Sequence, residues 1–410
     1  MTAIDSMYLL LTTAAVFSLQ AGFLLSITGV TRAHHAIALF LKTFATAGIG
    51  VIAFFAIGYG LAFGPSAHGV FGTPHFSLRL AFPESQLPRI LFLLSVFLLV
   101  PVIPLGAMAG RIRFPIHLAY AAFAFLLIVP LSFKWVWGSA IDPLAAGWLQ
   151  KWGFLDRSGA AVVHVVAGAM ALAASLVAGP RLGKYGADRK PRAMPGHHLP
   201  LSGIGMFLLI GGWPFFLGGF EPSFSAAHSA QLALVAILAA CGGFFGALIP
   251  AWFATRKFDA PFALNGILAG LVVVCACPES LGGWRPLLVG MGAGALVFGG
   301  ILFIEMVARI DDPAGAISVH GIVGAFGALL PGILHPGAGL LRGGGFHQIL
   351  IQAAGTAVLA LFAFASMWAF LRLLKALFGI RARPVEELRG LDLSEHGMEA
   401  YSGFQIFDQH

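Results

Sequence analysis

The sequence predicts an all-α polytopic membrane protein with eleven transmembrane helices, built as an inverted 5+5 repeat plus one additional helix. Three observations lead there. The 410 residues are 59% hydrophobic and only 10% charged, against about 25% charged in a soluble domain, and mean hydropathy is +0.90. The apolar residues fall in long runs, each close to the roughly 20 residues that cross a bilayer. One stretch also occurs twice. Asp156-Arg-Ser-Gly159-Ala160-Ala-Val-Val163-His164-Val-Val-Ala-Gly168-Ala169 is matched by Asp312-Pro-Ala-Gly315-Ala316-Ile-Ser-Val319-His320-Gly-Ile-Val-Gly324-Ala325.

In order, the spans read as 7–30, 36–63, 88–108, 114–136, 158–178, 202–220, 228–253, 262–279, 283–308, 314–334 and 345–376. The first reads as a retained span, because no basic n-region precedes it. The 53 glycines suit helices that approach closely in lipid. Short alternating segments of a β-barrel are absent. The partition is 1–180, a first five-helix repeat with the outer half of a pore, and 181–200, a cytoplasmic loop. Residues 201–335 form the second repeat, 336–378 the eleventh helix and 379–410 a cytoplasmic tail.

Basic residues set the orientation. Arg32, Arg111, Arg113, Arg181, Lys184, Arg189, Lys190, Arg192, Arg256, Lys257, Arg309, Arg381 and Arg383 fall on one side. Arg79, Lys151, Arg157, Arg285 and Arg342 fall on the other. The N-terminus is therefore expected outside and the C-terminus in the cytoplasm, as an odd span count requires. The net charge of +7 does not indicate nucleic acid, because the basic residues sit in short loops and form no soluble patch. Lys42 is expected to snorkel to the interface, and Trp135 and Trp137 to join the outer aromatic belt. Cys241, Cys275 and Cys277 read as buried small hydrophobes.

The repeated stretch opens spans five and ten, so its copies cross the membrane in opposite senses. Inverted repeats place their shared site near the midplane, at the repeat interface. His164 and His320 are thus expected to meet there. An imidazole in an apolar run is costly without a partner or task. Two of them can share one proton, ring nitrogen to ring nitrogen, and suit a small polar permeant or a proton. A bare ion such as K+ wants oxygens. No third ligand stands at motif spacing, so no metal or other cofactor is expected. Asp312, beside Asp311, reads as a helix cap; Asp156 reads as a cap, a cation recruiter, or both. Trp213, Phe215 and Phe216, between glycine pairs, read as packing or as a constriction.

These residues, with Gln20-Ala-Gly-Phe, Phe55 to Gly64, Gly110-Arg-Ile-Arg-Phe114, Val136-Trp-Gly138, Asn265-Gly-Ile-Leu-Ala-Gly270, Asp311-Asp-Pro313 and Gly390-Leu-Asp-Leu-Ser-Glu-His-Gly397, resemble the ammonium transporter/Rhesus family over nearly the whole chain. The resemblance implies a homotrimer in the cytoplasmic (inner) membrane, each subunit with its own pore, and no enzymatic reaction. It implies pore histidines at His164 and His320, an inner gate at Phe216, and an outer vestibule at Phe92 and Trp137 with a structural or recruiting Asp156. The implied substrate is ammonium or ammonia, and the implied partner a PII-type signalling protein at the cytoplasmic mouth.

Several positions depart from the family pattern. Val96 stands at the outer gate phenylalanine, with Phe97 adjacent. Phe220 stands at the vestibule serine, Gly110 and Ile27 at glutamates, and Leu217 at an asparagine. A more apolar mouth binds a cation less well. Passage of another small neutral molecule, and a non-conducting sensor or scaffold that signals through its tail, therefore stand beside ammonium conduction. In the tail, Glu386, Glu387, Arg389 and Asp392 read as a solvated face or a regulatory contact.

Overall fold

A computed structural model describes residues 2–66, 68–72 and 84–401. Arg79 and the end of the tail beyond Tyr401 lie outside them. Eleven apolar helices cross the described residues: α1 Ala3–Gly29, α2 Ala33–Phe63, α3 Glu84–Met108, α4 Phe114–Ala140, α5 Ala160–Ala178, α6 Leu199–Gly218, α7 Ala226–Thr255, α8 Ala260–Val273, α9 Arg285–Val307, α10 Ile317–Leu334 and α11 His347–Phe378. Ten are long enough to span a membrane unaided; α8 is shorter. The run expected over 262–279 stops at Val273 and resumes as one 3₁₀ turn at Pro278–Ser280. There Pro278 lacks the amide a helix would need.

Local chemistry explains the ends. Thr2 and Asp5 form a reciprocal capping box at the start of α1, which satisfies free N–H groups of the first turn. Asp259 and Ser225 cap α8 and α7. Helix α1 packs on α6, α7 on α8 and α9, and α11 on α5. Glycine lets these helices touch backbone to backbone. A Cβ on Gly290 would lie 2.2 Å from the Ala239 carbonyl oxygen. Such approach replaces the hydrophobic driving force that lipid cannot supply.

Two short helices, α12 Pro384–Arg389 and α13 Leu391–His396, fold the tail back onto the loops. Arg113 N–H donates to Ile380, Ala382 N–H to Arg111, and the Ala38 N–H to Asp392 Oδ1 at 2.8 Å. The Leu182 N–H donates to Glu387 Oε1 at 2.7 Å, and Arg381 clasps the same carboxylate at 2.7 Å. The loops at 32–38, 111–114 and 179–182 and the tail thus share one face, the face the basic residues mark. Glu387 and Asp392 are buried, which corrects the reading of these two as a solvated face. Their carboxylates find backbone N–H groups and an arginine instead of water.

Three other expectations need correction. Lys42 does not snorkel: it is buried, and its Nζ donates to the Ile112 carbonyl at 2.6 Å. Trp135 and Trp137 are buried rather than set in an interfacial belt, because their indole N–H groups donate to Val70 and Asp156 carbonyls. Cys241 is exposed, while Cys275 and Cys277 are buried.

Candidate functional site

The two copies of the repeated stretch fold alike. Gly159 and Gly315 precede their helices with φ of 92° and 74°, a left-handed turn that L side chains resist. Each turn aims a carboxylate at the helix start. Asp156 accepts from the N–H groups of Gly159 (3.2 Å), Ala161 (2.9 Å) and Val162 (2.8 Å). Asp312 accepts from Ala316 (3.0 Å) and Ile317 (2.7 Å). Both are therefore caps of the kind helix N-termini favour. Burial pushes the Asp156 carboxyl up to about 7, against the opposing pull of its backbone N–H donors.

Each histidine lies in a π-helical opening, Ala160–Val165 in one copy and Ile317–Val323 in the other. Such widened turns are common at functional sites. The helices cross where a Cβ on Gly168 would meet the Gly321 amide nitrogen at 2.3 Å, and one on Gly324 the His164 Cβ at 3.2 Å. The crossing brings His164 Nδ1 within 3.1 Å of His320 Nδ1. Both rings are buried, at 2% and 3% exposure. The two rings meet as the repeat leads one to expect.

Neighbours fix each ring. Trp213 stacks on His164 at 5.6 Å with 7° between planes, and Phe23 lies 5.9 Å from His320. The N–H groups of Arg157 and Ser158 donate to the carbonyls of Ala276 and Cys275. This pairing draws the chain after α8 beside α5 and sets Cys275 Sγ 3.7 Å from His164 Nε2. Gln352 on α11 braces both repeats. Its amide donates to Leu155 (2.6 Å) before α5 and to Ala328 (2.7 Å) in α10.

Above His164 the aromatic rings form a column. Phe216 lies 6.4 Å from His164, Phe220 5.9 Å from Phe216, and Phe220 also packs on Trp137 (4.6 Å) and Phe92 (5.0 Å). Phe215, by contrast, is half-buried beside the Trp213 and Phe216 that join the column. Arg89 holds the Phe220 turn by donating to the carbonyls of Gly219 (2.8 Å) and Glu221 (2.7 Å). A cavity of about 410 Å³ at the far end of this column is lined by Trp137, Asp156 and Phe220, with Gln150, Cys277 and Glu279. Phe92, Val96 and Phe216 do not line it. Val96 is fully buried, and the adjacent Phe97 turns away into Phe54, Phe125 and Phe133. On the other side of the pair, a cavity of about 40 Å³ is lined by His320 with Phe23, Ile27, Ser26, Ser202 and Asn265. That space is large enough for a water-sized molecule, which needs roughly 10–15 Å³ of such volume.

Asp311 has a different task from its neighbour. It accepts from Arg111 (2.6 Å) and from the backbone and guanidinium of Arg181 (2.8 to 2.9 Å). Burial works to raise its carboxyl, but the two arginines outweigh that and hold it at about 2. It is an ion-pair hub that ties the loop after α3 and the loop after α5 to the start of the second repeat. Among the described residues, no group of three or more His, Cys, Asp and Glu gathers as metal ligands would.

The fold and this site define a multi-pass membrane protein with a buried imidazole pair between two oppositely directed repeats, flanked by a cavity on each side. The chain belongs to the Ammonium Transporter Family, whose sequence model matches residues 7–401. Ammonium transporter Amt2 of Archaeoglobus fulgidus is 33% identical, over 98% of this chain and 89% of the relative. Ammonium transporter Amt1 of Haloferax mediterranei is 29% identical, over 98% and 80%. A solved structure described as a Sensor Amt Protein superposes with a TM-score of 0.91 at 32% identity, covering 96% of this chain and 98% of that one. Candida albicans Mep2 shares the fold, with a TM-score of 0.83 at 23% identity over 98% and 90%.

Proposed function

We propose that this chain carries ammonium or ammonia across the cytoplasmic membrane without catalysing a reaction. The observation that carries the reading is the 3.1 Å contact between His164 and His320 at the crossing of the repeats. Two imidazoles there can accept and donate to one small N–H-bearing molecule while the apolar surround excludes hydrated ions. In this reading Asp156, Trp137, Phe92 and Phe220 form the outer vestibule, where a cation sheds its water and passes its proton back to bulk water on that side. Phe216 and Val96 narrow the path above the histidines, and Asp312 and Asp311 hold the second repeat. Membership of the family and the relatives named as ammonium transporters support it.

The finer parts of the proposal follow from the charge pattern and the family. The N-terminus lies outside and the C-terminus in the cytoplasm. Residues 1–180 and 201–335 act as the two repeats, 181–200 as the cytoplasmic loop, 336–378 as the added helix and 379–410 as the tail. The subunits form a homotrimer in the bilayer, and the folded tail offers a PII-type signalling protein a surface at the cytoplasmic mouth.

A second reading is favoured by one observation. Phe220 places a ring between Trp137, Phe92 and Phe216, which caps the column with apolar material. A sensor that binds ammonium without passing it, and signals through its tail, fits that cap. The similarity to a Sensor Amt Protein supports the same reading. Purified protein in liposomes with a trapped pH dye decides. Conduction predicts an internal pH change on an imposed ammonium gradient. No change, with ammonium binding still measurable, turns the assignment to the sensor.

A further inference from the structure

Cys275 follows α8 at the level of the imidazole pair and is fully buried. Its Sγ lies 3.3 Å from the Leu271 carbonyl oxygen and 3.7 Å from His164 Nε2. A thiol has one proton to give and a sulfur that accepts weakly. The Leu271 carbonyl, one helical turn back, is the nearer acceptor, at the distance of an S–H···O bond. The S–H therefore points at Leu271, and toward His164 the sulfur can only accept.

The rest follows from counting protons. His164 carries its hydrogen on Nε2, so in a neutral ring its Nδ1 is bare. The 3.1 Å contact between the two Nδ1 atoms needs one hydrogen, which must then sit on His320. His320 Nε2 is left bare. It bonds no protein group among the described residues, and His320 lines the small inner cavity. Which nitrogen carries a proton is set by the bond its partner nitrogen makes.

We infer that Cys275 is a positioning residue that fixes the tautomers of both pore histidines and so presents His320 Nε2 as a hydrogen-bond acceptor to an N–H-bearing permeant in the inner cavity. The inference rests on the proposed pore. Its chemistry selects a small donor such as ammonia over a molecule that offers only acceptors. Trp213, stacked on His164 at 7°, keeps the ring plane aimed at the sulfur.

The test is ring-nitrogen solid-state NMR of the full-length protein, labelled at histidine and held in lipid bilayers at neutral pH. His164 is expected protonated at Nε2 and His320 at Nδ1. In Cys275→Ala the His164 tautomer ratio should fall about fivefold, the equivalent of about 1 kcal/mol for one hydrogen bond. Cys275→Ser should restore it, because a hydroxyl can also donate back to Leu271 and accept from His164. His164 protonated at Nδ1 in the unaltered protein overturns the inference. So does an unchanged ratio in Cys275→Ala. If Cys275→Ala fails to fold, the unaltered protein and Cys275→Ser still decide. The readout is ring protonation rather than flux, so a non-conducting protein with these tautomers overturns the conduction reading alone.

Discussion

Gly168 and Gly321 touch backbone to backbone: a Cβ on Gly168 would stand 2.3 Å from the Gly321 amide nitrogen and 2.4 Å from its Cα. This crossing, more than any bond between the rings, sets how near His164 and His320 come. A side chain at Gly168 would part α5 from α10, whereas one at Gly321 would meet Gly168 Cα only at 3.7 Å. Gly168→Ala is expected to cost about 1–3 kcal/mol, the usual range for overpacking, and to reduce transport more than stability. Thermal unfolding in detergent and flux in liposomes check the pair of effects.

Asp311 joins Arg111 and Arg181 in a nearly dry cluster, with side-chain exposures of 1%, 0% and 9%. Asp311→Asn leaves two buried guanidinium groups short of their counter-charge. Removing one partner of a buried pair costs about 3–5 kcal/mol. The sign of the pH effect follows from the lowered carboxyl, at about 2 against 3.8 ordinarily. Its contribution is complete above the unfolded value and is lost as pH falls toward the folded one. Unfolding followed from neutral pH down to about pH 2 should show that loss in the natural chain and not in Asp311→Asn.

Asp156 behaves in the opposite sense. Burial raises its carboxyl from 3.8 to about 7, so between these values the folded state holds a proton the unfolded state has released. Stability from this group therefore declines as pH rises through that window. Charge at the cavity lined by Asp156, Trp137 and Phe220 appears over its upper end. Ammonium uptake should rise as pH passes about 7, and Asp156→Asn should flatten that rise. Initial rates against external pH, at constant ammonium ion, provide the measurement.

Phe220 fills the space between Trp137, Phe92 and Phe216. Phe220→Ser removes the ring and adds a hydroxyl that a cation can use. One added hydrogen bond is worth about 1 kcal/mol, so ammonium affinity should rise about fivefold. Binding by calorimetry checks it; an unchanged or weaker affinity would show that the ring is not what limits the mouth.

Much of this was legible in the sequence because it repeats. Asp156 stands eight positions before His164, as Asp312 does before His320, and the copies open the fifth and tenth spans, so the meeting of the rings could be read from the sequence. The rest depends on single residues with no such echo. Asp311 and Asp312 are adjacent acids, yet one pairs arginines from two distant loops while the other caps its own helix. Only tertiary contact separates them. Arg89, Gln352 and Cys275 are lone polar residues in or beside apolar runs. Their roles come from carbonyls and rings brought near by other helices. The π-helical openings at both histidines leave no mark in residue type. Lys42 and Trp137 followed general rules for interfaces on paper, but each had a buried carbonyl within reach, and that bond prevailed.

Flux through liposomes carrying the unaltered chain, His164→Ala or His320→Ala tests the imidazole pair most directly. The account predicts an ammonium-driven internal pH change in the unaltered chain and its loss, or its replacement by a slower leak with altered selectivity, in each variant. Undiminished, equally selective ammonium flux after removal of either ring would contradict it.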